Sequence, residues 1–306
     1  MGPKAMPPPV LQLAVVGAGP AGLALALLAA HQLPQSHVAL FDARPLERDV
    51  SGDPRTLALA QGSVQLLEHL QAWPAAAAEP ILQVHVSQAP PSLPAAWAEA
   101  EVRIAAAELG VPQLGAVLSY GALVSALQRA WLQAAAAQPD RLSTHFGAPV
   151  RRVATQGGAA AVEADIEHSF DLAVVAEGGV FADQARKALA HDYHQTAWVG
   201  TVVLDGAPRG AAFERFTRQG PLAMLPLPRQ ADGAHRAAMV WCVDARDDPV
   251  RELDDAQRRH VIDALLPPAA GRIAGIGPLK HFALGLNAER TLVDGCTVRI
   301  GNAAQT

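Results

Sequence analysis

The chain has 306 residues, of which 50% are hydrophobic and 17% charged, and its formal net charge is -5. That balance gives no electrostatic footprint for nucleic acid, and the length supports either one large α/β domain or two interleaved ones. Cys242 and Cys296 stand alone with no C-x-x-C spacing, which argues against a zinc knuckle or a disulfide framework and fits a reducing cytosol.

The apolar run Leu13-Ala14-Val15-Val16 predicts a strand buried on both faces. It feeds directly into Gly17, Gly19 and Gly22, spaced as G-x-G-x-x-G. The first glycine permits a tight turn, the second lets a pyrophosphate approach the backbone, and the third lets the helix lie close to the strand. Phosphates would rest on the free N–H groups at the helix start, just after Pro20. Leu13 to Ala30 carries no charge, and a hydropathy window would flag it as a membrane span. The glycines and Pro20 inside it favour a core strand and helix instead. Met1 to Val10 has Lys4 but no apolar core or cleavage signal.

Leu23 to Ala30 predicts a helix packed under a sheet, stopped by Pro34. The strand His37 to Phe41 follows and ends in Asp42-Ala43. Asp42 lies 20 positions beyond Gly22, where a dinucleotide fold places the carboxylate that binds ribose. The competing reading of Asp42 is a solvated turn residue before Pro45. Asp53-Pro54-Arg55 then forms a turn before a helix through Gly62 to Leu70 and on to Trp73. The Arg55 guanidinium fork suits a pyrophosphate, and its competing reading is a surface ion pair with Asp53 or Glu47.

Ile81 to Val86 and Glu101 to Ile104 predict strands of a second sheet, separated by the proline-rich turn from Ala89 to Pro94. A helix opens at Tyr120 and continues past Trp131, with Leu123, Leu127 and Trp131 on one face. Strands are expected at Ser143 to Phe146, Val150 to Ala154 and Ala160 to Asp165. The run Phe170 to Val175 leads into Ala176-Glu177-Gly178-Gly179. From Trp198 to Val243 the pattern alternates, with antiparallel strands at Trp198 to Val203 and Ala237 to Cys242, suited to the floor of a ring-shaped pocket. His191 and His194 have no third ligand at metal spacing, so no metal is assigned. Arg251 to Leu266 predicts a surface helix and Phe282 to Leu286 a return strand. No Ser-His-Asp or Cys-His spacing supports a catalytic acid, base or nucleophile.

Several of these motifs together resemble a known family. The glycine turn, the Asp53-Pro54-Arg55 turn, Glu177-Gly178, the strand Phe213-Glu214-Arg215-Phe216, the loop Gly220 to Leu227 and the closing Gly301-Asn302-Ala303-Ala304-Gln305-Thr306 resemble the FAD-dependent hydroxylases of ubiquinone biosynthesis, a class of aromatic-ring monooxygenases. The last motif is similar to the 2-octaprenyl-6-methoxyphenol hydroxylase branch. The resemblance runs from Leu11 to Thr306. It implies an α/β fold, a Rossmann-like FAD-binding domain with an interleaved antiparallel-sheet substrate domain. The FAD-binding parts would be 10–80, 111–190 and 289–306, and the substrate-domain parts 81–110 and 191–288.

The resemblance also implies FAD as cofactor, with Arg55 beside it and Gly17, Gly19, Pro20, Ala21, Gly22, Asp42, Ala43, Glu177, Gly178, Gly301 and Asn302 around it. NAD(P)H would reduce the flavin, O2 would form a flavin hydroperoxide, and one oxygen atom would pass to a polyprenylated phenol. That chemistry belongs to the cofactor, so the protein's share is binding, orienting and excluding water. Phe216 and Pro226 would line the substrate pocket, with Pro226 near the flavin ring. In the family a polar or basic residue touches the cofactor where this chain has Tyr120, here read as a helix-start residue. Glu177 replaces the family's aspartate. Implied partners are a ubiquinone-biosynthesis complex and peripheral contact with the inner membrane from a cytoplasmic location. In the family a histidine-proline and glycine-rich loop and further helices follow Thr306, so a C-terminally truncated form with weakened FAD binding is expected. Two other readings use the same glycine turn: an NAD-dependent dehydrogenase, and a non-catalytic nucleotide-binding scaffold.

Overall fold

The computed structural model describes residues 10–89, 100–177, 188–230 and 232–306. A six-stranded sheet runs in the order Val293–Asp294, Thr297–Arg299, Leu172–Val175, Gln12–Val16, His37–Asp42, Leu142–Phe146, parallel except for the first short strand. Gln12–Val16 lies inside it, with Ala14 and Val15 fully buried, as its unbroken apolar run requires. The uncharged stretch is thus a strand, a turn and the helix Pro20–Gln32.

That helix and a second, Tyr120–Ala137, cover one face of the sheet. Leu23 and Leu27 pack with Leu123, Leu127 and Trp131 in a single core. Full burial of each leucine contributes about 1.5–3 kcal/mol. Trp131 also donates its indole N–H to Thr144 Oγ1 at 2.9 Å, fastening the helix to the edge strand. The other face lies under a small antiparallel meander, Arg152–Gln156, Ala159–Glu163 and Glu167–Phe170, whose Ala160 and Val162 pack on Ala14, Val16 and Phe41. The expected strands near 150 and 160 are therefore present with ends shifted by one or two residues. Phe170 closes the meander rather than opening the core strand, which begins at Leu172.

The second large sheet is ordered Arg272–Ile276, Leu189–Asp205, His235–Asp244, Pro221–Pro226, Ala211–Phe216, Gln83–Gln88, Glu101–Ala105, and Lys280–Ala288 also pairs with Leu189–Asp205. The expected strands at 198 and 237 lie within its long members, with Trp198 opposite Trp241. One face is closed by the helix Asp255–Leu265 over Phe213, Leu222, Met224, Met239 and Trp241. This helix starts four residues later than its pattern suggests. Asp254 is the reason: its side chain accepts from the Gln257 N–H while Gln257 answers the Asp254 N–H, a capping box that fixes the first turn.

The strand expected over Ile81 to Val86 is two strands. Glu79–Ile81 joins a three-stranded linking sheet with Gly115–Ser119 and Thr56–Ala60, and Gln83–Gln88 joins the large one. Leu82 makes the break, its N–H turning to the Gly210 carbonyl at 2.8 Å. Thr56–Ala60, read from sequence as an approach to a helix, is a strand before Gln61–His69. Most of the proline-rich turn after Ala89 lies outside the described residues.

Candidate active site

Strand register assembles the first part of the site. Val16 lies opposite Phe41 on one side and Val175 on the other, and Val175 lies opposite Arg299. Because these strands are parallel, the residues after them emerge at one edge: Gly17, Asp42, Glu177 and Gly301. This carboxyl edge is where doubly wound sheets bind their ligands. Gly178 falls outside the described residues.

The three glycines are held by different causes. Gly17 has φ +106°, and a Cβ there would meet the Glu177 amide nitrogen at 2.7 Å. A Cβ on Gly22 would overlap the Gly17 carbonyl oxygen. The fold's own packing therefore demands both. At Gly19 a Cβ would find only the Tyr120 hydroxyl, 3.7 Å away, so nothing in the described chain forbids a side chain. Bare backbone facing open space is what the approach of a phosphate requires. Pro20 opens the helix, whose first-turn N–H groups have no side-chain cap and no acidic neighbour in that turn. An uncapped start of a thirteen-residue helix favours an anion.

Asp42 frames the same loop. Its Oδ2 accepts the Ala18 N–H at 2.5 Å and its Oδ1 accepts the Arg44 N–H at 2.7 Å. The carboxylate is oriented while keeping lone pairs for hydroxyl donors. Ala43 is exposed beside it. Arg44 Nη2 donates to the Ala18 carbonyl at 3.3 Å and to Gln128 Oε1 at 3.1 Å, tying the loop to the helix Tyr120–Ala137. Glu177 is partly buried, and burial together with the Asp42 charge pushes its carboxyl above the usual glutamate value. Gly301, at φ +55°, approaches Ala21: a Cβ on it would lie 3.4 Å from the Ala21 methyl. Exposed Asn302 follows in the same short turn.

Arg55 makes the ion pair that stood as its competing reading. Its Nε and Nη2 grip Asp53, at 3.0 Å to Oδ1 and 2.8 Å to Oδ2, the surface pairing that competed with a phosphate role. Its guanidinium also lies 4.0 Å from the centre of the Tyr120 ring. Tyr120 is the first residue of its helix, after Ser119, whose Oγ accepts the Ala122 N–H. Yet its hydroxyl hangs over Gly19. Sequence reading assigned the helix start and missed that contact, and it missed Arg44; a phenol at a helix start gives no periodic signal.

The second part of the site is the face of the large sheet turned away from the helix Asp255–Leu265. Register sets one row across it: Val102, Val86, Glu214, Ala223, Val240, Val199. One end of this face is closed where Ala212, Val84 and Leu225 pack on Ile81 and Val117 of the linking sheet. Thr56, Ala58 and Ala60 share the Val117 face and are exposed. We call this largely apolar sheet face, bounded at one end by the linking sheet, the trough. Arg55 precedes Thr56 and Tyr120 follows Ser119, a paired position, so both stand at the linking sheet's end.

Phe216 and Pro226 do not meet. Phe216 is 52% exposed on the open face and pairs with Pro221 at one end of the strand. Pro226 alternates with Leu222 and Met224, which pack on the helix side, and lies at the strand's other end, about 17 Å away at 3.4 Å per residue. The alternation of a strand puts the two on opposite faces. Phe216 borders the trough and Pro226 does not.

No family model matches the chain. It is 27% identical over 316 residues to the 3-demethoxyubiquinol 3-hydroxylase of Escherichia coli, an alignment covering 96% of this chain and 73% of that protein. The chain is thus similar in sequence to a ubiquinone-pathway hydroxylase over most of its length. A shorter match, 32% identical over 115 residues, is to ubiquinone hydroxylase UbiL of Rhodospirillum rubrum, covering 37% of this chain and 25% of the relative. Among solved structures it is similar to 2,6-dihydroxypyridine-3-hydroxylase of Arthrobacter nicotinovorans, at TM-score 0.62 and 15% identity over 98% of this chain and 78% of that one. It is likewise similar to Klebsiella pneumoniae HpxO, solved with FAD and uric acid, at TM-score 0.60 and 17% identity over 97% and 74%. A peptidyl tryptophan dihydroxylase matches at TM-score 0.55 and 18% identity, and this chain covers 61% of its length. The shared fold is the mixed α/β arrangement of these structures, whose two large sheets are here mainly parallel and mainly antiparallel.

Proposed function

We propose that this protein is an FAD-dependent aromatic hydroxylase of the ubiquinone pathway, acting on a polyprenylated phenol with NAD(P)H and O2. The observation that carries the reading is the Gly17–Gly22 turn: two glycines are required by packing, and the third, Gly19, is left open above an uncapped helix start. The residues present fit the ADP half of FAD. Gly19 and the first turn from Pro20 would take the pyrophosphate, with Ala21 and Gly301-Asn302 bounding it on the side of the last strand. Asp42 would accept the ribose hydroxyls beside Ala43, and Glu177 would border the loop. Tyr120, backed by Arg55, would cover Gly19 from the trough side.

When bound, the flavin supplies the redox chemistry, passing electrons from NAD(P)H to O2 and one oxygen atom to the ring. The chain's own work is to hold and to exclude water. The trough's apolar row would receive a prenylated ring, and its continuation over Val102 and Ile104, both exposed on the edge strand, suits an aliphatic tail. Its location would be cytoplasmic with peripheral membrane contact; among the described residues no helix is long and apolar enough to cross a membrane.

The test is to purify the full chain, identify its bound nucleotide by mass, and follow NAD(P)H consumption with a prenylated phenol. Bound FAD and a product gaining one oxygen atom are expected. Bound NAD without flavin would overturn the reading in favour of a dehydrogenase. A folded, FAD-loaded protein that never hydroxylates would point to a nucleotide-binding scaffold.

A further inference from the structure

Within the row across the open sheet face, every member but one is apolar. The exception is Glu214, which faces Val86 on one side and Ala223 on the other. It has no hydrogen-bond or ion-pair partner among the described residues. Its neighbours offer no compensation: Val102, Val240 and Val199 complete the row, and Cys242 lies on the same strand as Val240, two strands away. Burial pushes the Glu214 carboxyl above the usual glutamate value, and burial and the Glu214 charge push the Cys242 thiol up in turn. Half-buried and with no protein donor, the carboxylate keeps its lone pairs for the hydroxyl of a bound molecule. Arg215, the next residue, points to the other face and is buried there, donating to the Leu265 carbonyl at 3.0 Å. The strand thus spends its arginine on structure and leaves its glutamate to the trough.

We infer that Glu214 receives the phenolic hydroxyl of the ring bound in the trough, accepting its hydrogen bond and then its proton. The inference rests on the proposed function. In the step, the ring O–H bond breaks, its electron pair stays on the ring oxygen, and the proton forms an O–H bond on a Glu214 carboxylate oxygen. Because a phenol is the weaker acid by about six pKa units, the transfer accompanies attack on the ring, with a developing phenolate beside a carboxyl gaining its proton. The phenolate oxygen raises electron density at the ring carbons ortho and para to it, where an electrophilic oxygen is accepted. An apolar site weakens competition from water for this hydrogen bond. Glu214 would accordingly fix which edge of the ring faces the sheet and activate it, while the valines around it leave the rest of the ring free to slide.

The experiment uses the full chain loaded with FAD. A phenol bearing a short prenyl chain and its methyl ether are titrated into the wild type, Glu214→Gln and Glu214→Ala, with flavin content and thermal midpoint recorded for each sample. The wild type should prefer the free phenol roughly tenfold, the scale of one hydrogen bond to a charged acceptor. Both variants should reduce that preference to about twofold or less while binding the ether as the wild type does. Equal affinity for phenol and ether in flavin-loaded wild type would overturn the role of Glu214 alone, as would a preference surviving in both variants. Loss of the fold in both variants would overturn it too, by making Glu214 structural. Wild type that holds no flavin, or holds flavin and binds neither compound, would overturn the proposed function together with this inference.

Discussion

At the carboxyl edge of the parallel sheet, one methyl group added at Gly22 would strike the Gly17 carbonyl, whereas on the open face of the large sheet Ala223 stands half-exposed between Glu214 and Val240. The first region recognises through its backbone: its shape comes from glycines, strand ends and a helix start. The second recognises through side chains set in rows by strand register. A backbone site permits little variation where a glycine is bounded by neighbouring main chain, as Gly17 and Gly22 are. A side-chain site can be altered one residue at a time.

The largest effect expected from that contrast is at Gly22. Gly22→Ala should cost about 3 kcal/mol or more, read as a fall in the denaturation midpoint, because main chain must move to admit the Cβ. A change under about 1 kcal/mol would show that the loop is softer than its packing indicates. Next comes Gly19→Ala, which should leave the apo protein's unfolding curve in place and weaken FAD about tenfold or more, measured by titration of the apo form. A fall in stability with unaltered affinity would erase the distinction between packing glycines and the ligand glycine.

A smaller effect is expected at Glu177. Its carboxyl is held above the ordinary value, so the folded chain binds more protons than the unfolded one across that window. The favourable share is complete below the unfolded glutamate value and is lost as pH rises through the raised one. Glu177→Gln should therefore raise the apo thermal midpoint at neutral pH by about 1–3 °C, a difference that closes as pH falls below about 4. A gap of equal size at both pH values would remove the electrostatic explanation. The smallest effect belongs to the sheet: Ala223→Val should shift stability by no more than about 0.5 kcal/mol, since a β-branched residue suits a half-exposed strand.

The same contrast governs how much could be read from sequence. The strand, the glycine turn, the helix and Asp42 are contiguous or nearly so, and local periodicity with fixed spacing exposes them. Glu177 and Gly301 were placed by motif resemblance, and parallel register explains why they arrive at the same edge. Arg44 and Tyr120 were not legible as site residues, because a hydrogen bond to Ala18 and a hydroxyl over Gly19 are tertiary facts. In the trough, alternation identified the strands but not which face of Ala211–Phe216 stays open. That depends on the helix Asp255–Leu265 lying on the other side, and it is why Phe216 and Pro226 were grouped although they belong to opposite faces.

The approach of Gly301 to Ala21 has a consequence for the order of events as the chain is made. The strand Gln12–Val16, its helix and Asp42 leave the ribosome early, but Leu172–Val175 must slot in beside them before Thr297–Arg299 can dock and carry Gly301 into place. Segments nearly the whole sequence apart must meet, and such long-range closure is slow. The cradle is thus begun early and closed only when this distant strand docks. A chain lacking residue 301 would present an unfinished loop, so that capture of the nucleotide reports the docking of Thr297–Arg299.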